Sequence, residues 1–323
     1  MDLDAVEKIA RAILYEGYLL YPYRYSAAKN RYRWNFGVLY PNDFVAQTAY
    51  ESSRMQAECL IEASREATVR VRLRFLQLTY EVRAATGGTA EQAIEREVSG
   101  VEGRLVELAG GPVTFPFEFD AEPVGAEETW GGLDGTGRAP LRGKIDLAAA
   151  PLDAGLFKIT VNARNLTRLR FVDPSQRESI LPQCFLSTHM ILEAVGGRFL
   201  SLMDPPSRCR QVARECQNIG AWPVLVGDDG DETHMLAAPI ILYDYPEVAP
   251  ESAGDLFDAT EIDELLTLRI LTLTEEEKEQ MRRGDARARE LLDRTEALSP
   301  EQRLKLHGAV RVGKHRRRRG SGP

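Results

Sequence analysis

The run TVRVRLRFLQLTYEV, residues 68–82, constrains the fold of this chain more than any other stretch. Its apolar residues Val69, Val71, Leu73, Phe75, Leu76 and Leu78 lie among Arg70, Arg72, Arg74 and Gln77. A period of two places successive side chains on opposite faces of a strand, so one face of this segment must be buried against a sheet core. The three arginines fall on the other face, which reads as a solvated sheet surface; the competing reading is a binding groove.

More strand signals follow without helices between them. They are GRLVELAG (103–110), PVTFPFEFD (112–120), and the pair LRGKIDLAAAPL (141–152) with LFKITVNARNLT (156–167). The last two are joined through Asp153-Ala154-Gly155, a hairpin turn signature. The acidic stretch near residues 89–98 reads as helix or loop, and WGGLDGTGR (130–138) as an exposed loop. That loop lacks the GxxxxGK[ST] order of a phosphate cradle. The expectation is an α+β fold: a central antiparallel β-sheet or small β-sandwich with N-terminal and C-terminal helical parts.

Around this centre, Leu3, Val6, Ile9, Ala10 and Ile13 have helical spacing and predict a helix over about 3–14. A second helix is expected over 43–64. SILPQCFLSTHMILEAV (179–195) reads as a buried helix stopped by Gly196-Gly197. WPVLV (222–226) and MLAAPIILYDY (235–245) read as two strands joined by GDDGDETH. The remainder is expected to be helical, with N-caps at Thr260, Thr274 and Ser299 and an apolar stripe at Ile262, Leu265, Leu266 and Ile270. The charged helix EEEKEQMRRGDARARELLDR (275–294) reads as exposed or clasped by a partner. The expected divisions are 1–66, helical and aromatic; 67–174, antiparallel β; 175–298, mainly helical with a short strand pair; and 299–323, a short helix and a disordered basic tail.

The chain has 323 residues and a net charge of −8. Six positive charges lie between Arg311 and Arg319, so the rest of the chain carries about −14. An acidic body argues against nucleic acid as the main partner. No apolar run approaches the ~20 residues of a membrane helix, and the start is acidic and amphipathic, so no membrane insertion and a cytoplasmic location are expected. The four cysteines, Cys59, Cys184, Cys209 and Cys216, fit a reducing compartment, and the six residues between the last two match no standard zinc spacing.

Recognition chemistry concentrates in residues 15–40, which hold seven of the eleven tyrosines together with Arg24, Lys29, Arg31, Arg33, Trp34 and Phe36. Aromatic rings with a polar handle, interleaved with arginine, are what an interaction surface uses. Tyr21, Tyr23, Arg24, Arg31, Arg33 and Trp34 are the candidate partner-binding residues there. Tyr243 and Tyr245 join them from an extended acidic strip, residues 243–258, which could offer a second surface or dock on the first.

Candidates for chemistry are sparse. His189 is the best lone acid–base group, yet a nucleophile–base pair needs an orienting acid and no nucleophile elbow is present. Cys209 and Cys216 have arginines nearby that would favour thiolate if the thiols were exposed. Asp228, Asp229, Asp231 and Glu232 beside His234 lack the calcium-loop order and read as a turn. No catalytic residue, metal or cofactor is assigned.

The strings ILYEGYLLYPYR, SAAKNRYRWNFGVLYP and PIILYDYPEVAPESAGDLFDATEIDELLTLRILTLTEEEK, with the central β segment, resemble an uncharacterised bacterial family. Its members are encoded beside genes for oxygen-tolerant, actinobacterial-type nickel–iron hydrogenases and their maturation factors. The likeness spans residues 5 to about 290. It implies a role in hydrogenase assembly or maturation, with a hydrogenase subunit or maturation factor as the protein partner, and transfers no catalytic residue. The expected function is therefore a non-catalytic accessory or scaffold. Two alternatives stand beside it: an enzyme using His189 or Cys209/Cys216, and a single-stranded nucleic-acid binder using the aromatic–arginine segment as a stacking platform.

Overall fold

A single strand, β1 (Arg54–Val82), runs for 29 residues through the centre of the protein. Drawn straight it would measure roughly 95 Å, far more than a domain of this size can enclose, so it must bend. The bend lies where Ala63 faces Gly197 and Thr68 faces Val195 on the neighbouring strand β8 (Leu186–Leu200). Ser64, Arg65 and Glu66 bulge outward there and are exposed. The computed structural model describes residues 3–14, 36–82, 92–123, 135–169, 177–247, 275–282, 292–293 and 296–297. Two compact units divide the chain, Met1–Val248 and Ala249–Pro323.

The bulge lets one strand serve two partners along one edge. Arg54–Glu62 pairs with β7 (Leu156–Asn165), and Thr68–Thr79 pairs with β2 (Gln92–Arg104). Tyr80–Val82 then pairs with β5 (Gly135–Arg138), which also pairs with β4 (Glu122–Pro123). The main order is β3 (Val113–Phe119), β6 (Leu141–Asp153), β7, β1, β8, β10 (His234–Ala238) and β9 (Trp222–Leu225), all neighbours antiparallel. The fold is α+β, a large antiparallel sheet with few, short helices.

The sheet curls until its far edge meets its middle. Phe75 on the second half of β1 lies 6.5 Å from Phe117 and 5.9 Å from Phe119 on β3, ring centre to ring centre, and stacks at 4.4 Å on Phe185. One core fills the concave side. Met55, Ala57, Cys59 and Ile61 enter it from the first half of β1, and Ala67 through Phe75 at odd positions from the second. The short helix α3 (Leu105–Leu108) closes it with Leu105 and Leu108.

Helix α1 (Leu3–Leu14) forms as its spacing predicts and seals the opposite face. Val6, Ile9, Ala10 and Ile13 pack there on Ile191, Val224, Val226, Leu236 and Ala238. A third cluster, at the end of β1, gathers Tyr40 and Phe44 of the α2 region (α2, Asn42–Val45) with Leu76, Leu78 and Leu186. This explains the adjacent Phe75-Leu76 in the sequence: the strand is buried on both faces at that point.

Several expectations are corrected. Residues 43–64 form only the four-residue α2 before β1 begins at Arg54. Leu60 had blurred the alternation because it turns away from the main core to pack with Leu200 and Cys209. The expected helix 179–195 is the single-turn helix α4 (Arg177–Ile180), a 3-10 turn at Leu181–Gln183, and then β8. Met190 and Leu192 face the main core while Ile191 faces α1, so the segment is apolar on both sides and its period vanishes. Gly196-Gly197 bends β8 instead of ending a helix: Gly196 has φ +81°, and a Cβ on Gly197 would lie 2.6 Å from the Ala63 Cβ. Residues 92–104 are strand β2, and Leu105–Leu108 is helix, so GRLVELAG is not a strand. Within WGGLDGTGR, Gly135–Arg138 is strand β5, and the part before it lies outside the described residues. The second strand of the pair after residue 220 stops at Ala238.

The β6–β7 hairpin forms as expected, with Gly155 at φ +76°. The strands expected at 112–120 and 222–226 also form, as β3 and β9. β1 passes through position 66 without a break, and β8, β9 and β10 complete the same sheet.

In the second unit, α5 (Glu275–Arg282) carries Lys278 and Arg282, which hold Glu296 at 3.0 and 3.3 Å. The expected apolar stripe at Ile262–Ile270, the caps at Thr260, Thr274 and Ser299, and the basic tail lie outside the described residues.

Candidate partner-binding surface

Beyond β10 the chain runs on without strand pairing from Pro239 to Tyr245, its side chains alternating inward and outward. Ile240 and Leu242 pack into the cluster beneath α1. Ile241 and Tyr243 point away from it and are 76% and 79% exposed. Two such apolar side chains on one short segment are a surface that water leaves unsatisfied.

The segment is fastened at its end. Asp244 Oδ2 accepts the Ser201 hydroxyl and Oδ1 accepts the Leu225 N–H at 2.9 Å, while the Tyr245 N–H donates to Leu225 O at 2.8 Å. These bonds take the outward backbone groups of Leu225 on edge strand β9. Pro223, two residues earlier on the same edge, has no N–H to offer. The edge is thereby closed to a further strand, so recognition here must use side chains. Tyr245, with φ +55°, is half-buried against the main core. Of the two tyrosines expected as contacts, Tyr243 is free to make one and Tyr245 is largely structural.

The tyrosine-rich segment enters the described residues only at its end. Tyr21, Tyr23, Arg24, Arg31, Arg33 and Trp34 lie outside them. Residues 36–40 are stitched to the start of β8: Ser187 and Thr188 donate N–H groups to Phe36 O and Gly37 O, and Leu39 and Phe185 exchange both bonds. Gly37, at φ +54°, sits so close to Pro239 and Thr188 N that a Cβ would be 2.8 Å from each. The end of the aromatic segment therefore abuts the segment that bears Ile241 and Tyr243. Tyr40 is a core residue: it stacks on Phe44 at 5.2 Å and accepts a 2.6 Å hydrogen bond from Arg177 Nε. Burial pushes its hydroxyl up to about 12, against the opposing pull of Arg177.

No protein-family model matches this chain, and no curated protein does.

Of the groups considered for catalysis, His189 and Cys209 are buried and Cys216 is half-buried. His189 is fully buried; its Nδ1–H donates to Ser187 O at 3.0 Å, and its Nε2 has no hydrogen-bond partner. Burial, with Arg74 and Arg72 nearby, lowers its pKa to about 4, so the ring is neutral at pH 7. The Cys209 side chain packs with Leu60 and Leu200. The Cys216 thiol is pushed up to about 11 by burial and by Glu58. Cys59 and Cys184 are buried and raised for the same first reason. A reactive thiol needs the reverse environment, partly exposed and electropositive.

The acidic turn is stapled by its own residues. Asp231 accepts the Thr233 N–H at 2.7 Å and the Thr233 hydroxyl, and lies 3.3 Å from His234 Nδ1. Burial raises the carboxyl, but the Thr233 and His234 contacts outweigh it and hold the pKa below the ordinary value. Among the described residues, no group of three or more His, Cys, Asp or Glu side chains is arranged to hold a metal. No helix among them is long and apolar enough to cross a membrane.

Of the three arginines expected on a solvated face, Arg70 is exposed, Arg72 is half-buried and Arg74 is buried, each beside carboxylates. Arg74, 8% exposed, faces Glu7 at 2.9 Å, Glu95 at 3.2 Å and Glu97 at 3.5 Å, and Arg72 shares Glu7. Arg70 pairs with Glu102 and Glu193. The sequence does not reveal Ile241, since APIIL (238–242) is apolar throughout and nothing in it marks which side chain turns outward.

Proposed function

We propose that this protein is a non-catalytic accessory that acts by binding another protein through Ile241, Tyr243 and the adjoining aromatic–arginine segment. Its resemblance to the hydrogenase-associated family makes the partner a nickel–iron hydrogenase subunit or maturation factor. The observation that supports a binding role is the outward pair Ile241 and Tyr243, exposed on a segment whose backbone is pinned by Asp244 and Tyr245. A pinned segment loses little conformational freedom on association, and an exposed tyrosine brings large area at low entropic cost.

The test is affinity capture from the native host with the full chain, read by mass spectrometry. Hydrogenase subunits or maturation factors should be captured by the wild type and lost with Ile241→Ser plus Tyr243→Ala. A folded double variant that captures the same proteins would sink the proposal.

A further inference from the structure

Charge of a single sign lies beside the Ile241–Tyr243 surface. The acidic turn between β9 and β10 begins two residues after Leu225, whose carbonyl accepts the Tyr245 N–H, so the turn and the end of the exposed segment are neighbours. Burial raises the Tyr245 hydroxyl, and the carboxylates of Glu232, Asp244, Asp229 and Asp231 raise it further, which sets all four around that ring. Little positive charge answers them. Arg198 reaches Glu232 at 3.0 Å but turns another nitrogen to Glu62 at 2.6 Å. Asp244 accepts from neutral donors, the Ser201 hydroxyl and the Leu225 N–H. Asp228 and Glu247 are exposed, and among the described residues no cation faces either of them or Asp244.

Uncovered aromatic rings lie along the same segment. Tyr243 points outward, and Trp222, 43% exposed, stands opposite Ala238, where the segment begins. Among the described residues no lysine or arginine lies over either ring. An aromatic face with carboxylates beside it attracts a cation twice, through the ring quadrupole and through the negative charge. Ile241 adds exposed apolar area that only an apolar side chain can cover.

We propose that the surface formed by Ile241, Tyr243 and Trp222, with Asp228 and Glu247 at its rim, takes a basic segment of the partner protein that carries lysine or arginine beside apolar side chains. An acidic segment or a nucleic-acid strand would meet like charge here. So would the same face of a second copy of this chain. A segment with cations alone would leave Ile241 in water. The inference rests on the reading of Ile241 and Tyr243 as the partner-binding surface, and it states the chemistry of what binds there.

Fluorescence anisotropy of the full chain with a fluorescein-labelled hexapeptide of alternating lysine and leucine tests this chemistry. Salt-sensitive binding is expected, weakened about fivefold by Asp228→Asn with Glu247→Gln and about fivefold or more by Ile241→Ser with Tyr243→Ala. Counterpart peptides with glutamate for lysine, or serine for leucine, should bind at least about fivefold more weakly. Failure of the wild type to bind, equal binding by the Asp228→Asn, Glu247→Gln variant, or equal binding of the glutamate peptide overturns the proposal. Binding that emerges only when Arg24, Arg31 and Arg33 are replaced by serine makes this chain's own segment the occupant and also overturns it. Asp228 and Glu247 are exposed, so their variant should melt with the wild type; a lower midpoint makes them structural and counts against the rim. Affinity capture separates this inference from the reading beneath it. Capture lost with Ile241→Ser plus Tyr243→Ala but unchanged by Asp228→Asn plus Glu247→Gln keeps the binding role and overturns the basic chemistry. Capture unchanged by the first pair overturns the binding role itself.

Discussion

Glu7 on α1 reaches Arg74 on β1, Oε2 to a terminal guanidinium nitrogen, at 2.9 Å across 67 positions of sequence. That contact fastens the N-terminal helix to the sheet face in which the Arg74 cation is buried. Glu95 and Glu97 of β2 complete its surroundings, so Arg74 is a hub and Glu7 one of three spokes.

The two partners should therefore differ in cost. Arg74→Ala removes a buried cation and leaves its acids facing one another, a loss of about 3 kcal/mol of stability. Glu7→Ala leaves Arg74 with two acids and should cost about 1 kcal/mol. Urea denaturation measures both, and equal or inverted losses would show that Arg74 is not the hub.

His189 should make stability depend on pH. Its folded pKa of about 4 lies below the ordinary 6.5, so between these values the unfolded chain binds the extra proton. Its contribution is intact above pH 6.5 and is lost as pH falls toward 4, by about 3 kcal/mol. The unfolding midpoint of His189→Gln should fall less steeply than that of the wild type over this window. Parallel curves would refute a buried neutral histidine.

The thiols should be slow to react in the folded protein. Cys59 and Cys184 are enclosed and Cys216 is raised to about 11, so little thiolate exists at pH 8. Iodoacetamide should label the native chain far more slowly than the urea-unfolded chain. Rapid native labelling at Cys209 or Cys216 would revive the enzyme reading.

The paired bend in β1 and β8 should tolerate no side chain at position 197. A Cβ there meets the Ala63 Cβ at 2.6 Å and Glu62 O at 3.1 Å, and neither can yield without moving backbone. Gly197→Ala should cost about 2 kcal/mol. Val195→Ala, at an exposed position next to the bend, should change stability little. Comparable melting curves for the two variants would mean that the bend adapts.

Legibility followed the number of faces a segment buries. Val69, Val71, Leu73 and Phe75 alternate with charged residues, so β1 could be read there, as could the β6–β7 hairpin from its Asp-Ala-Gly turn and α1 from its spacing. Met190, Ile191 and Leu192 are apolar toward both faces and so carry no period, while in 55–61 Leu60 interrupts the alternation of Met55, Ala57, Cys59 and Ile61 with Gln56 and Glu58. The candidate surface divides in the same way. Tyr243 was visible as an aromatic beside acids, whereas Ile241 looks like any core isoleucine.

Residue pattern by itself determined the local elements whose two faces differ in polarity, and with them the α+β class. Only the tertiary structure decided which elements share a sheet, that β1 bends to serve two partners, and which side chains remain uncovered. The physical reason is that hydrophobic burial is non-directional. The sequence says that Ile61, Ile241 or Leu60 should leave water, but strand register and bulges decide which of them can.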